Sequence, residues 1–274
     1  MFNDPIHCSL PLEVLNDFTH IQWVNESSAL LQIHLREGEK PSNKPQELLL
    51  LNAHVLLWAR ALSAGAPPWL TNYVPSYDSL LIMFDPMQVD CFEVKAFLKS
   101  LALNEYRNNA PVTKQHVIEV CYDEGLEDAL LHNQSVQEND KLRPNDLSQM
   151  SQTLNMAVPE IIQMHSEQVY RVFTVGFLPN FAYMGFTIDA LHIPRLSSPR
   201  KAVPAGAVAI ADNQTAIYPQ RSPGGWHILG YCPFDLSGQG DTVFSAGDEV
   251  VFKPISIAEY QQKYGALTPR GQRQ

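Results

Sequence analysis

Two patterns of apolar positions alternate along the first hundred residues. In residues 29–35 apolar side chains alternate with polar ones, as in a strand with one buried face. Pro45 suits the first turn of a helix, and the apolar helix that follows ends at a glycine and two prolines. A second strand, 80–84, precedes a helix that begins with Asp90 and, three residues later, Glu93, which is typical of a capping box. The order strand, helix, strand, helix predicts a small α+β domain.

The pattern changes after residue 103. Residues 104–113 are polar and contain a proline, which predicts a linker, and the polar residues 123–145 predict a long surface loop. The rest of the chain consists of short apolar runs separated by glycine and proline, which favours a β-barrel or sandwich over a parallel sheet. We therefore predict an α+β domain over residues 1–103 and a mainly β, barrel domain over residues 113–274.

Composition and charge exclude several classes of partner. The chain has 274 residues and a formal net charge of -10, and its 19 Lys and Arg are scattered, so a nucleic acid or an anionic membrane is disfavoured. The longest apolar run contains Asn52, His54 and Arg60, which is unlike a membrane span, and the N-terminal residues lack the basic segment of a signal peptide. We expect a cytoplasmic protein with four free cysteines. Neither H-E-x-x-H nor a carboxylate cluster is present, so the sequence does not support a metal site.

Three segments of the second half carry candidate chemistry. The first, G-F-L-P-N-F-A-Y-M-G at 176–185, could present Phe181 and Tyr183 on a loop shaped by its glycines, although an aromatic strand with a tight turn explains it equally well. The second, P-R-L-S-S-P-R-K-A-V-P-A-G at 194–206, places Arg195 and Arg200 among prolines. A rigid loop loses little entropy when it fixes a guanidinium, so this segment suits the binding of a carboxylate or a carboxyphosphate-like anion. An exposed arginine on such a loop can also simply be surrounded by water.

The third segment is Q-T-A-I-Y-P-Q-R-S-P-G-G-W-H-I-L-G at 214–230. Gln214, Tyr218 and Ser222 offer neutral hydrogen-bonding groups. Gly224 and Gly225 belong to a turn whose backbone amides could approach a ligand closely, although a structural turn is the simpler interpretation. Trp226 would close such a site with an apolar wall.

Together these segments resemble the C-terminal, cyclophilin-like domain of the family that includes KipI, the B subunit of 5-oxoprolinase (PxpB) and allophanate hydrolase subunit 1. The family patterns are G-F-x-P-G-F-x-Y-L-G, P-R-x-x-V-P-A-G-S-V and Q-T-G-I-Y-P-x-x-S-P-G-G-W-x-I-I-G-R-T-P. The resemblance extends to V-P-S-Y-D-S-L at 74–80, to V-C-Y at 120–122 and to Asp146-Leu147, so it covers nearly the whole chain. Asn180, Asp212 and Ala216 replace glycines of the family, and we expect these replacements to be tolerated only where φ is negative.

The resemblance implies a PxpB-type component of an ATP-dependent 5-oxoprolinase, which converts 5-oxoproline to glutamate together with a C-type, KipA-like partner and a separate A-type protein. The chain has no G-x-x-x-x-G-K-[ST] loop, so ATP would be held by a partner or by a differently shaped site. Two alternatives remain open. One is a KipI-like inhibitor of a sensor histidine kinase, and the other is a carboxyltransferase component of an allophanate hydrolase or urea carboxylase system.

We predict a binding site for a small lactam or amide in the matched loops. Arg200 would supply an anchored cation, and His165, which we place just after a short helix, and His227 are by default packing residues. The sequence identifies no catalytic residue. The predicted substrate-binding residues are Arg200, Gln214, Tyr218, Ser222, Gly224, Gly225, Trp226, Phe181 and Tyr183.

Overall fold

The structure is a computed structural model that describes residues 13–16, 19–35, 44–101, 103, 113–126, 145–233 and 243–266. Most of the predicted linker, residues 127–144 of the predicted surface loop and Cys8 lie outside the described residues. The chain divides into two compact units, Met1–Val112 and Thr113–Gln274.

The first unit contains a five-stranded antiparallel sheet and two helices. The elements are β1 (Glu13–Asn16), β2 (Thr19–Asn25), β3 (Ser28–Ile33), α1 (Lys44–Gly65), β4 (Leu70–Pro75), β5 (Ser79–Phe84) and α2 (Cys91–Ser100). The strand order in the sheet is β1-β2-β3-β5-β4. Ile21, Leu31 and Leu80 of the three central strands are fully buried, and in β3 the buried residues alternate as the pattern of residues 29–35 predicted.

Two helices cover the core of this unit. Val55, Trp58 and Leu62 of α1 recur at helical spacing and pack against the buried sheet residues. The capping box of α2 is confirmed, since the Asp90 side chain accepts a hydrogen bond from the Glu93 backbone N–H at 2.8 Å and the Glu93 side chain accepts one from the Asp90 N–H at 3.1 Å. Among the described residues, α1 is the one helix long and apolar enough to cross a membrane, but half of its apolar window is buried within the fold, as in a core helix.

The second unit is built on a seven-stranded mixed sheet. The strands of this unit are β6 (Gln115–Val120), β7 (Val169–Val175), β8 (Ala182–Gly185), β9 (Arg200–Val203), β10 (Ala207–Ala211), β11 (Gln214–Ile217), β12 (Ser222–Gly224), β13 (His227–Tyr231) and β14 (Glu249–Pro254); the helices are α3 (Leu147–Leu154), α4 (Val158–Ser166) and α5 (Ile257–Ala266). The strand order in the sheet is β13-β10-β11-β8-β7-β14-β6, in which β6 and β14 run parallel, and β12 pairs separately with β9.

A short bridge joins the two ends of this sheet. Immediately after β6, Cys121 exchanges two backbone hydrogen bonds with Tyr231 of β13, at 2.8 and 2.9 Å. Gly230 makes this approach possible, because a Cβ atom there would lie 2.4 Å from the Cys121 carbonyl oxygen. The result is a nearly closed, barrel-like sheet, which is compatible with the predicted barrel.

The sheet of the second unit separates two apolar clusters. Val208 and Ile210 of β10 belong to one cluster, whereas Ala207, Ala209 and Ala211 belong to the other. Every residue of β10 is therefore buried. The second cluster also contains the aromatic side chains of the predicted site.

Candidate functional site

An aromatic cluster is centred on Phe181, which is buried just before β8. The ring of Phe181 contacts the rings of Tyr183, Phe177, Tyr218 and Trp226 edge-to-face, with centroid distances of 4.8, 5.3, 5.3 and 5.9 Å. Phe177 is 60% exposed and Tyr183 is half-buried, so the cluster extends from the interior to the surface. These are the geometries that aromatic pairs prefer.

The turn between β7 and β8 positions the centre of the cluster. The Gly176 N–H donates to the carbonyl of Phe181, and the Phe181 N–H donates to the carbonyl of Leu178, both at 3.0 Å. Asn180, which precedes Phe181, is buried and its Oδ1 accepts a hydrogen bond from the Val243 N–H at 2.8 Å. The loop is therefore fastened both internally and to the segment that leads into β14.

The expectation that the glycine replacements lie at negative φ is wrong for two residues. Asn180 has φ 65° and Asp212 has φ 53°, both in the left-handed region. Asn and Asp are the side chains that enter this region most easily after glycine, because their short polar groups can hydrogen-bond locally. A left-handed backbone at these two positions is thus compatible with both replacements.

Tyr218 lies against the glycine turn. A Cβ atom at Gly224 would lie 2.2 Å from the Tyr218 hydroxyl, so the turn can pass the phenol only because it has no side chain there. Burial raises the pKa of Tyr218 to about 12, although the positive charges of Arg200 and Arg195 and a backbone hydrogen bond from Trp226 act in the opposite direction. The phenol is therefore protonated at neutral pH and can donate a hydrogen bond.

The guanidinium of Arg200 is engaged within the protein. Its Nη1 donates to the Trp226 carbonyl at 3.1 Å, and its Nη2 donates to Oδ1 of the buried Asp146 at 2.5 Å. The other oxygen of Asp146 accepts the Ile228 N–H at 2.6 Å, and the Asp146 N–H donates to the Ile228 carbonyl at 2.6 Å. Arg200 thus joins β9, the start of α3 and β13, and its role toward a ligand stays a prediction.

Sequence reasoning left Asp146 out of the site. The only signal for it was its place in the Asp-Leu pair that resembles the family pattern. Its importance follows from the fold, which brings it to Arg200, 54 positions along the chain.

All but one of the predicted site residues come together in one region. Ser222 lies two positions before Gly224 on β12, and its buried hydroxyl has no hydrogen-bond partner among the described residues. Gln214 is the exception, because it begins β11, and four residues of strand place it about 13 Å from Tyr218.

The loop that carries Arg195 is held beside the Gly-Gly-Trp turn on both sides. The Leu196 N–H donates to the Gly225 carbonyl at 2.8 Å, and Nε2 of His227 donates to the Pro194 carbonyl at 3.0 Å. Arg195 lies between these two tethers. Its position is therefore fixed next to the aromatic cluster even though its side chain reaches solvent.

His165 belongs to the other apolar cluster. It lies in the last turn of α4, so its expected position after a helix was wrong. It is fully buried and stacked on Phe252, and burial lowers its pKa to about 3. The Thr215 hydroxyl donates its one hydrogen to the Ala209 carbonyl at 3.2 Å. It must therefore accept the hydrogen bond from Nε2 of His165, at 2.9 Å. The other ring nitrogen, Nδ1, accepts a hydrogen bond from the Tyr122 hydroxyl at 2.8 Å. His165 is a neutral interior residue.

The cysteines Cys91, Cys121 and Cys232 form no disulfide within the described part of the chain, and burial raises the pKa of the Cys121 thiol. Within the described ranges there is no group of three or more His, Cys, Asp or Glu side chains that could hold a metal ion.

Comparison with known proteins connects this arrangement with a family. The model of the carboxyltransferase domain, subdomain C and D, matches residues 21–242. The B subunit of the 5-oxoprolinase of Haemophilus influenzae is 44% identical over 113 residues, which are 40% of this chain and 53% of that protein. The chain thus spans about half the length of the curated relatives it matches.

Solved structures show the same fold within longer chains. The protein TTHA0988, known from a crystal structure, is 27% identical to this chain in sequence, with a TM-score of 0.64, over 84% of this chain and 40% of its own. The urea carboxylase of Kluyveromyces lactis, at 16% identity and a TM-score of 0.58, covers 95% of this chain and 24% of its own. The second similarity concerns the fold alone.

Proposed function

Because the chain belongs to the carboxyltransferase domain family of subdomains C and D, we propose that it is the PxpB-type component of an ATP-dependent 5-oxoprolinase. The observation that carries this proposal is that three curated relatives, 36 to 44% identical, are all named as the B subunit of 5-oxoprolinase. The reaction opens the lactam ring of 5-oxoproline to give glutamate. The chain acts with a C-type, KipA-like partner and a separate A-type protein in the cytoplasm.

The aromatic cluster offers suitable chemistry for a small cyclic amide. Trp226 and Phe181 are buried members of the apolar cluster, and the half-buried Tyr183 brings its aromatic face toward the surface, where a five-membered ring can pack. The protonated phenol of Tyr218 can donate to the lactam carbonyl, and the buried hydroxyl of Ser222 can pair with another polar atom of the ligand. A buried polar group without a partner costs about 1–3 kcal/mol, and a ligand that pairs with it recovers that cost.

ATP is used by the complex in this proposal. The chain has no G-x-x-x-x-G-K-[ST] loop, so the nucleotide is held by a partner or by a site of another shape. This division of roles explains why we expect the isolated chain to be inactive.

The test is co-expression with the genes that neighbour its own, followed by measurement of ATP hydrolysis and glutamate formation with and without 5-oxoproline. We expect 5-oxoproline-dependent ATP hydrolysis only when this chain is present. As a control, the Haemophilus influenzae relative replaces it in the same mixture. Activity with that relative but none with this chain would reject the proposal.

One observation favours a second function, inhibition of a sensor histidine kinase. Phe177 stands at the rim of the aromatic cluster and is 60% exposed, and exposed aromatic side chains are typical anchors of protein interfaces. If a kinase binds here, Phe177→Ser should abolish inhibition of its autophosphorylation, whereas Lys201→Gln, at an exposed residue of β9, should not.

A further inference from the structure

We propose that Arg195, and not Arg200, binds the carboxylate of the ligand at the aromatic cluster. The identity of the ligand rests on the proposed function, whereas the choice between the two arginines rests on the contacts that each makes.

Arg200 is unsuited to this role because its terminal nitrogens are already bound. One lies 2.5 Å from an Asp146 oxygen and the other 3.1 Å from the Trp226 carbonyl. Asp146 is buried, and removing its cation would leave an unpaired charge inside the protein, which is costly. A ligand carboxylate would have to compete with this internal pair.

Arg195, in contrast, is exposed and only loosely paired within the protein. Its side chain is 62% exposed, and its Nε lies 3.6 Å from an oxygen of Asp212, which is itself 51% exposed. That distance is longer than a hydrogen bond, and exposed pairs of this kind contribute little. Among the described residues, the two terminal nitrogens of Arg195 have no hydrogen-bond partner, so its planar fork is available to a carboxylate.

The backbone around Arg195 is held beside the site. Pro194 and Leu196, on either side of it, are hydrogen-bonded to His227 and Gly225, which flank Trp226. Burial raises the pKa of the Tyr183 and Tyr218 phenols, and the positive charge of Arg195 opposes this shift in both. Arg195 therefore lies close enough to interact electrostatically with both hydroxyl groups.

These groups match one chemical class of ligand. Arg195, the half-buried Tyr183 phenol and the buried Tyr218 phenol lie beside the same aromatic cluster. A planar ring that carries a carboxylate and a carbonyl can meet these groups, with its ring on the aromatic cluster and its carboxylate at Arg195. A lactam acid such as 5-oxoproline belongs to this class.

The test compares two probes that differ only in charge, L-5-oxoproline and its carboxamide, by calorimetric titration of the full chain and of its co-expressed complex. The wild type should bind the carboxylate more tightly than the carboxamide. Arg195→Gln should weaken carboxylate binding about 10- to 30-fold, as expected for loss of a charge-assisted hydrogen bond, and leave carboxamide binding unchanged.

Two further variants serve as controls. Lys201→Gln removes the same charge from an exposed residue of β9 and should change neither affinity. Asp212→Asn keeps the left-handed backbone conformation but removes the neighbouring carboxylate, so it should not weaken carboxylate binding. Thermal melts verify the fold of each variant.

The outcomes separate the inference from the proposed function. A wild type without preference for the carboxylate, or an Arg195→Gln variant that keeps this preference, overturns the inference. Loss of the preference in Arg195→Gln but not in Lys201→Gln supports it. The co-expressed complex is assayed separately for 5-oxoproline-dependent ATP hydrolysis. Its absence rejects the proposed reaction, while the binding data still decide the role of Arg195.

Discussion

The neutral, buried His165 should make the stability of the second unit depend on pH. It is completely enclosed, and both ring nitrogens are used by neutral hydroxyl groups. A proton on Nδ1 would remove the acceptor of the Tyr122 hydroxyl and place a charge in an apolar cluster. Burial therefore holds its pKa at about 3, compared with 6.5 for a free histidine.

The magnitude follows from this difference in pKa. Between pH 6.5 and about 3 the unfolded chain binds a proton at His165 and the folded chain does not. The contribution of His165 to stability is therefore complete above pH 6.5 and falls as the pH is lowered toward 3. From pH 7 to pH 5 the free energy of unfolding should fall by about 2 kcal/mol through this residue alone.

Urea unfolding followed by circular dichroism at pH 7 and pH 5 measures this contribution. The variant His165→Gln keeps a donor for Thr215 and an acceptor for Tyr122, but it does not titrate. It should be less stable than the wild type at pH 7. Between pH 7 and pH 5, however, its free energy of unfolding should fall by about 2 kcal/mol less than that of the wild type. His192→Gln, at an exposed histidine, should behave like the wild type. An equal fall in the wild type and in His165→Gln would refute the reasoning.

Three other predictions concern the backbone. Gly230→Ala would place a methyl group 2.4 Å from the Cys121 carbonyl oxygen, so it should open the bridge between Cys121 and Tyr231. The free energy of unfolding should fall by about 1–3 kcal/mol, measured by urea unfolding. An unchanged unfolding midpoint would contradict this prediction. Gly224→Ala should displace the Tyr218 phenol, which near-ultraviolet circular dichroism would detect as a changed tyrosine signal. Limited proteolysis should cut within residues 104–110 or within residues 125–141, where the sequence predicts a linker and a surface loop, and resistance at both places would contradict the predicted boundary.

Local patterns predicted the elements whose signal is contained in a few neighbouring residues. The Asp90 capping box depends on two side chains three residues apart, and the strand predicted at 80–84 appears as β5, Ser79–Phe84. The strand β4 is among those that escaped sequence reasoning, because its residues are only partly buried or exposed and show no clear alternation. The strand β8 lies within residues 176–185, for which an aromatic strand with a tight turn was one of two interpretations.

The sequence predicted most residues of the candidate site but not the ion pairs that they form. The three matched loops named the aromatic residues that the fold assembles around Phe181. The sequence could not show that Arg200 pairs with Asp146, because that partner comes from the start of a distant helix. It also gave no reason to prefer Arg195, since the exposure of the two guanidinium groups is decided only by tertiary packing.

The parallel pairing of β6 with β14 determines when the second unit can acquire its fold during synthesis. His116 of β6 and Asp248, just before β14, are hydrogen-bonded although they are 132 positions apart. Contacts between such distant residues form slowly, because a long loop must close before any of them is gained. While the ribosome is still translating the intervening residues, β6 and β7 both lack the strand that lies between them. We therefore expect a nascent chain arrested before Glu249 to expose these two strand edges, and to need a chaperone or rapid completion to avoid aggregation.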